Sequence, residues 1–89
     1  MPDAFIWYKA NENNETDFLH WLDLVHEQAD VRAKLFIRKD TDGDQSKATF
    51  METYSDVSSA TINRIEKLAA NQPLFNDIQR QCESFVKIT

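Results

Sequence analysis

One glycine, one cysteine and two prolines are all that 89 residues contain of these types. With Gly43 the only glycine, no Gly-rich phosphate-binding loop can be assembled. With Cys82 the only cysteine, no intrachain disulfide, Cys-rich zinc site or C-x-x-C redox pair is possible, and a reducing, cytoplasmic setting is expected. Positive charge is also short: 10 Lys plus Arg stand against 15 Asp plus Glu, a net charge of −5 that opposes a nucleic-acid phosphate backbone. No window approaches the roughly 20 apolar residues needed to span a bilayer. The start, Met1-Pro2-Asp3-Ala4, is acidic and its apolar run stops at Tyr8, unlike a secretory leader. A soluble protein without nucleic-acid or membrane partners is therefore expected.

What is present is enough to fold. The hydrophobic fraction is 42% and the aromatic fraction 11%, ordinary for a globular chain, and the length suits a single domain over residues 1–89. Phe5-Ile6-Trp7-Tyr8 predicts a first strand over residues 4–9, ended by the turn-rich Asn11-Glu12-Asn13-Asn14. Asn14 is then a candidate N-cap, with Glu15 and Asp17 favourably placed in the first helical turn. Phe18, Leu22, Val25 and Ala29, flanked by Trp21, form an inward stripe on a helix ending near Asp30, while His20, Asp23 and Glu27 lie opposite.

Residues 34–39 and 47–54 read as two further strands joined by a hairpin, with Asp42-Gly43 as its turn. A second helix over residues 58–71 carries Ile62, Ile65, Leu68 and Ala69 on one stripe and stops before Pro73. A short helical turn over 74–79 and a last strand over 82–88 complete the chain. The order β-α-β-β-α-β predicts an α+β, ferredoxin-like domain: an antiparallel four-stranded sheet with both helices on one face.

The helices can cover only one side of that sheet, yet the strands are apolar on both. Phe5 and Trp7 oppose Ile6 and Tyr8, Leu35 and Ile37 oppose Phe36 and Arg38, and Met51 opposes Phe50 and Tyr54. Within these residues no tail outside the elements is long enough to cover the second side. A face of this kind is near or above what monomers ordinarily leave bare, about 300–600 Å², and predicts a homodimer packed sheet to sheet.

The segments Ile6-Trp7-Tyr8-Lys9, Lys34-Leu35-Phe36-Ile37-Arg38 and Phe50-Met51-Glu52-Thr53-Tyr54 resemble those of a short, uncharacterised bacterial family. That family is allied to the dimeric α/β-barrel superfamily, with its antibiotic-biosynthesis monooxygenases, stress-responsive barrel proteins and muconolactone isomerases. The resemblance spans nearly the whole chain and rests on strand patterns rather than a catalytic signature. It implies a dimeric α/β barrel whose two sheets enclose a cleft for a small organic molecule. Some such proteins oxidise or isomerise compounds there without a cofactor, and some bind haem. The Asn, Trp and His set of the haem-degrading members has no counterpart here, because both histidines fall on the first helix.

If Phe36, Arg38, Phe50, Glu52 and Tyr54 share the open face, Arg38 and Glu52 become polar groups among aromatics, able to orient a ligand or to form a plain cross-strand ion pair. A one-residue change of register would put the two on opposite faces. Tyr8 and Tyr54 could donate hydrogen bonds, or transfer protons if their pKa values were strongly lowered from about 10. His20 and His26, six residues apart, point in different directions on a helix and cannot form an i, i+4 metal pair. Asp40, Asp42 and Asp44 around Gly43 fit a hairpin turn better than a calcium loop, since no glutamate stands at the loop's twelfth position. Cys82 reads as a small buried hydrophobe. The third strand, with Ala48 and Thr49 before Phe50, lacks the RNA-binding signature that shares this element order. The expectation is a homodimeric small-molecule-binding or protein-interaction domain without cofactor or metal. The alternative is a cofactor-independent monooxygenase or isomerase acting on a small aromatic or carbonyl compound.

Overall fold

The computed structural model describes residues 1–39 and 47–89. The hairpin turn at Asp42-Gly43 and the aspartates 40, 42 and 44 lie outside the described residues. Four strands and two helices follow the expected order: β1 (Asp3–Asn11), α1 (Glu15–Ala29), β2 (Lys34–Lys39), β3 (Lys47–Tyr54), α2 (Ser59–Ala70) and β4 (Gln81–Phe85). The sheet order is β2-β3-β1-β4, antiparallel throughout, which is the ferredoxin-like arrangement.

Burial alternates along the two central strands because one side of the sheet carries the helices. Ala4, Ile6, Tyr8 and Ala10 of β1 and Ala48, Phe50, Glu52 and Tyr54 of β3 point into the core. There they meet Phe18, Trp21 and Val25 of α1 and Ile62, Ile65 and Ala69 of α2. Phe18 is the hub of this layer, with its ring 4.7 Å from Phe50, 5.1 Å from Tyr8 and 5.8 Å from Phe75 between centroids.

Helix ends differ from expectation in one place. Asn14 does occupy the N-cap of α1, but its side chain makes no capping bond. The chain enters the helix through a 3₁₀ turn at Glu12–Asn14, and Asn11 caps that turn instead, accepting from the Asn13 N–H at 2.8 Å. At its far end α1 closes on Asp30, which adopts the left-handed conformation (φ 56°) and donates its N–H to the His26 carbonyl. That position favours glycine, and aspartate is among the few other residues that tolerate it.

α2 starts as expected on Ser58, whose Oγ accepts from the Thr61 N–H at 3.1 Å. Ser58→Ala should cost about 1 kcal/mol. The thermal midpoint should fall by roughly 4–8 °C for a domain of this size, and scanning calorimetry would measure it. After α2 the chain makes a 3₁₀ turn at Pro73–Phe75 and returns as β4.

β4 is shorter than the expected 82–88. Its partner β1 begins at Asp3, which pairs with Phe85, so the chain beyond Phe85 has no strand to pair with and Ile88 is 93% exposed. Cys82 is a second correction. It lies on this edge strand, exposed rather than in the core, and desolvation together with the Glu66 carboxylate holds its thiol pKa above the ordinary value. Among the described residues no helix is long and apolar enough to cross a membrane.

Candidate functional site

Among the described residues Glu52 is the only charged one that is fully buried, with 0% of its surface exposed. It sits mid-strand in β3, between Ile6 of β1 and Leu35 of β2. A bare carboxylate there would cost several kcal/mol, so its partners decide whether the fold is viable. Five hydrogen bonds surround it. Its Oε2 accepts from the Tyr8 hydroxyl at 2.6 Å, the Trp21 indole N–H at 3.1 Å and Arg80 Nη1 at 2.8 Å. Its Oε1 accepts from the Tyr54 hydroxyl at 2.6 Å and Arg80 Nη2 at 3.1 Å. Glu52 thus acts purely as an acceptor, and Arg80 grips it with a two-pronged fork.

Arg80 arrives on the segment between the Pro73–Phe75 turn and β4. Its other edge binds Glu66 of α2, with Nε 3.1 Å and Nη2 2.8 Å from Oε2. The guanidinium lies against three rings, its Cζ being 4.5 Å from the Phe75 centroid, 5.2 Å from Tyr8 and 5.5 Å from Trp21. Among the described residues no buried side-chain nitrogen or oxygen is left without a hydrogen bond.

The electrostatics follow from this enclosure. Burial, and then the adjacent Glu52 carboxylate, raise the pKa of both Tyr8 and Tyr54 far above the ordinary tyrosine value. Burial alone would lower that of Arg80, but its bonds to Glu52 and Glu66 outweigh this and raise it. The tyrosines are therefore firm hydroxyl donors rather than proton-transfer groups, and every Glu52 oxygen is already engaged. The arrangement is suited to holding a cation and tying β3, α2 and β4 together.

The sequence-derived candidates are split between the two sides of the sheet. Tyr8, Phe50, Glu52 and Tyr54 face the helices, whereas Phe36 and Arg38 face the opposite, open side. The condition that Arg38 and Glu52 share the open face is not met: Arg38 pairs in register with Thr49, donating to its Oγ1 at 3.3 Å, and the sheet separates it from Glu52. Alternation along β3 puts Glu52 on the same side as Ala48, Phe50 and Tyr54, but which side the helices cover is a property of the whole sheet. Arg80 and Glu66 had not even this signal. They approach Glu52 from 28 and 14 residues away in sequence, respectively by direct contact and through Arg80.

The open side is apolar at its centre. Successive rows across the sheet read Lys34, Thr53, Phe5, Glu83 and then Phe36, Met51, Trp7, Gln81. Phe36 is 50% and Phe85 56% exposed, and the Phe85 ring stands edge-on to Phe5 at 5.5 Å. A basic residue, Lys34, thus ends one row on the β2 edge and an acidic one, Glu83, ends it on the β4 edge.

The chain matches no protein-family model and is not significantly similar to any curated protein. Solved structures do share its fold. A de novo designed protein, Foldit4, superposes with a TM-score of 0.68 at 9% identity, covering 98% of both chains. A PII-like signalling protein from Thermus thermophilus gives 0.60 at 10% identity, over 96% of this chain and 87% of that one. The C-terminal domain of the MgtC protein from Mycobacterium tuberculosis gives 0.55 at 14% identity, over 93% and 88%. At these identities the likeness is one of fold, and that fold hosts many unrelated functions.

Proposed function

We propose that this domain is a non-enzymatic interaction module that works as a homodimer, two copies covering each other's open sheet face. The observation that carries this reading is the apolar centre of that face, Phe5, Trp7, Phe36, Met51 and Phe85, on the side the helices leave bare. The dimeric α/β-barrel arrangement implied by the strand resemblance is of the same kind.

Charge gives the pairing a direction. A two-fold axis running along the strands would set β2 of one copy over β4 of the other, bringing Lys34 opposite the partner's Glu83 twice by symmetry. An axis across the strands would stack β2 on β2 and oppose like charges. The first arrangement is favoured, and it is compatible with aligned sheet packing at about −30°.

The oxygenase or isomerase alternative needs Arg38, Glu52 and a tyrosine in one cleft. The sheet divides them, and Glu52 and both tyrosines are occupied by one another, so the non-catalytic reading is the better supported.

Sedimentation velocity over a concentration series tests it. Trp7→Glu, at the centre of the face, should weaken self-association by roughly 100-fold or more, as expected for a buried tryptophan anchor. Lys34→Glu and Glu83→Lys should each weaken it, and the double variant should recover it. A wild-type chain that sediments as a single subunit at high micromolar concentration would overturn the proposal.

A further inference from the structure

The groups that hold Arg80 come almost entirely from elements other than the one that delivers it. Tyr8 belongs to β1, Trp21 to α1, Glu52 and Tyr54 to β3, and Glu66 to α2. Only Phe75 shares the segment after α2. Tyr8, Tyr54 and Trp21 each donate to Glu52 on their own account, at 2.6, 2.6 and 3.1 Å, so the carboxylate is oriented whether or not Arg80 is seated. A flat cation among ring faces, with one carboxylate on its fork and another along its Nε edge, is guanidinium recognition chemistry, which an ammonium point charge cannot reproduce.

The strand that follows Arg80 is, by contrast, weakly held. All five residues of β4 are exposed, it is laddered to β1 along one edge, and Val86 and Ile88 beyond it are exposed as well. Arg80, with 7% of its side chain exposed, is the anchor that enters the core beyond the buried Phe75. A cavity of about 270 Å³ opens beside it, lined by Glu66, Phe75 and Ile78 among others.

We propose that the Glu52 cage is a guanidinium-binding site built by β1, α1, β3 and α2, and that Arg80 fills it as an intramolecular ligand. The segment from Asn76 to Phe85, beyond the buried Phe75, is then a strap docked through this site, and an arginine side chain or other guanidinium is the class of ligand the cage takes when the strap is out. The cage and the open sheet face lie on opposite sides of the sheet, so this inference stands apart from the pairing proposed above.

The test uses the full chain with Arg80→Ala, which deletes the two methylenes and guanidinium that N-ethylguanidinium would replace. About 20 mM N-ethylguanidinium should raise the thermal midpoint of the variant by roughly 5 °C or more, as expected for a ligand of low-millimolar affinity. Ethylammonium, of equal charge but without the fork, should do far less. The wild type, its cage filled, should not gain. In a Trp7→Phe background the same titration should saturate when followed by Trp21 fluorescence. If the variant is unfolded alone, recovery of near-UV circular dichroism on adding N-ethylguanidinium is the equivalent result. No response, equal rescue by ethylammonium, or an equal gain in the wild type would each overturn the assignment.

Discussion

Glu52→Ala should lose about 3–5 kcal/mol of stability, the usual consequence of leaving a buried charge without its partner. Set against the roughly 5–15 kcal/mol that holds a small domain together, this removes from about a fifth to all of the stability. The substitution strips Arg80 of its fork partner and leaves the Tyr8, Tyr54 and Trp21 donors facing a void. Arg80→Ala should be the milder lesion, because Glu52, although it loses its cation and two of its five hydrogen bonds, keeps three donors, and Glu66, which also loses this partner, is part-exposed. Arg80→Lys should behave more like Ala than like the wild type, since one ammonium cannot span two carboxylates in this geometry. Urea unfolding of the three variants gives the ranking directly. A loss below about 1 kcal/mol for Glu52→Ala would mean the network is no better than a surface ion pair.

Above pH 10 the fold should become progressively unstable, and steeply so. Tyr8 and Tyr54 both have folded-state pKa values raised above the ordinary value of 10.0, by burial and then by Glu52. Their contribution is fully present below the unfolded-state pKa. As pH rises past 10, the unfolded chain sheds two phenolic protons that the folded chain retains, and stability falls. The limiting slope is about 1.4 kcal/mol per pH unit for each tyrosine, so about 2.7 kcal/mol per unit for the pair. Chemical denaturation at intervals between about pH 8 and pH 11.5 would display it. Tyr54→Phe, one titrating group fewer, should halve the slope while lowering stability at neutral pH, because Glu52 loses one donor. An unchanged slope in that variant would show that another group carries the alkaline transition.

The two predictions concern one network, and its members differ in how far they could be read from residues alone. The strands at Lys34–Lys39 and Lys47–Tyr54 have the bounds expected from their composition, because β-branched and aromatic runs between turn residues are local signals. Phe18, Trp21 and Val25 are buried as their spacing requires. β4 stops short of the expected Ile88 because its length is set by where β1 starts, a property of the partner strand. The face that Glu52 takes is not legible in the sequence for a related reason. Pleat alternation shows which residues share a side but not which side the helices take, and on β2 both sides are apolar.

Local pattern by itself determined the order of elements, the antiparallel α+β class, the helix stripes and the presence of apolar residues on both sides of the sheet. Periodicity is a short-range property, and these features are short-range consequences of it. Only the tertiary structure decided that Glu52 lies inside, that Tyr8, Trp21 and Tyr54 converge on it, and that Arg80 closes the cage. Those contacts join residues 31, 44 and 28 positions apart, along with one neighbour, Tyr54. A buried charge gathers whatever donors the fold brings within reach of it, and nothing in the spacing of those donors along the chain foretells the meeting.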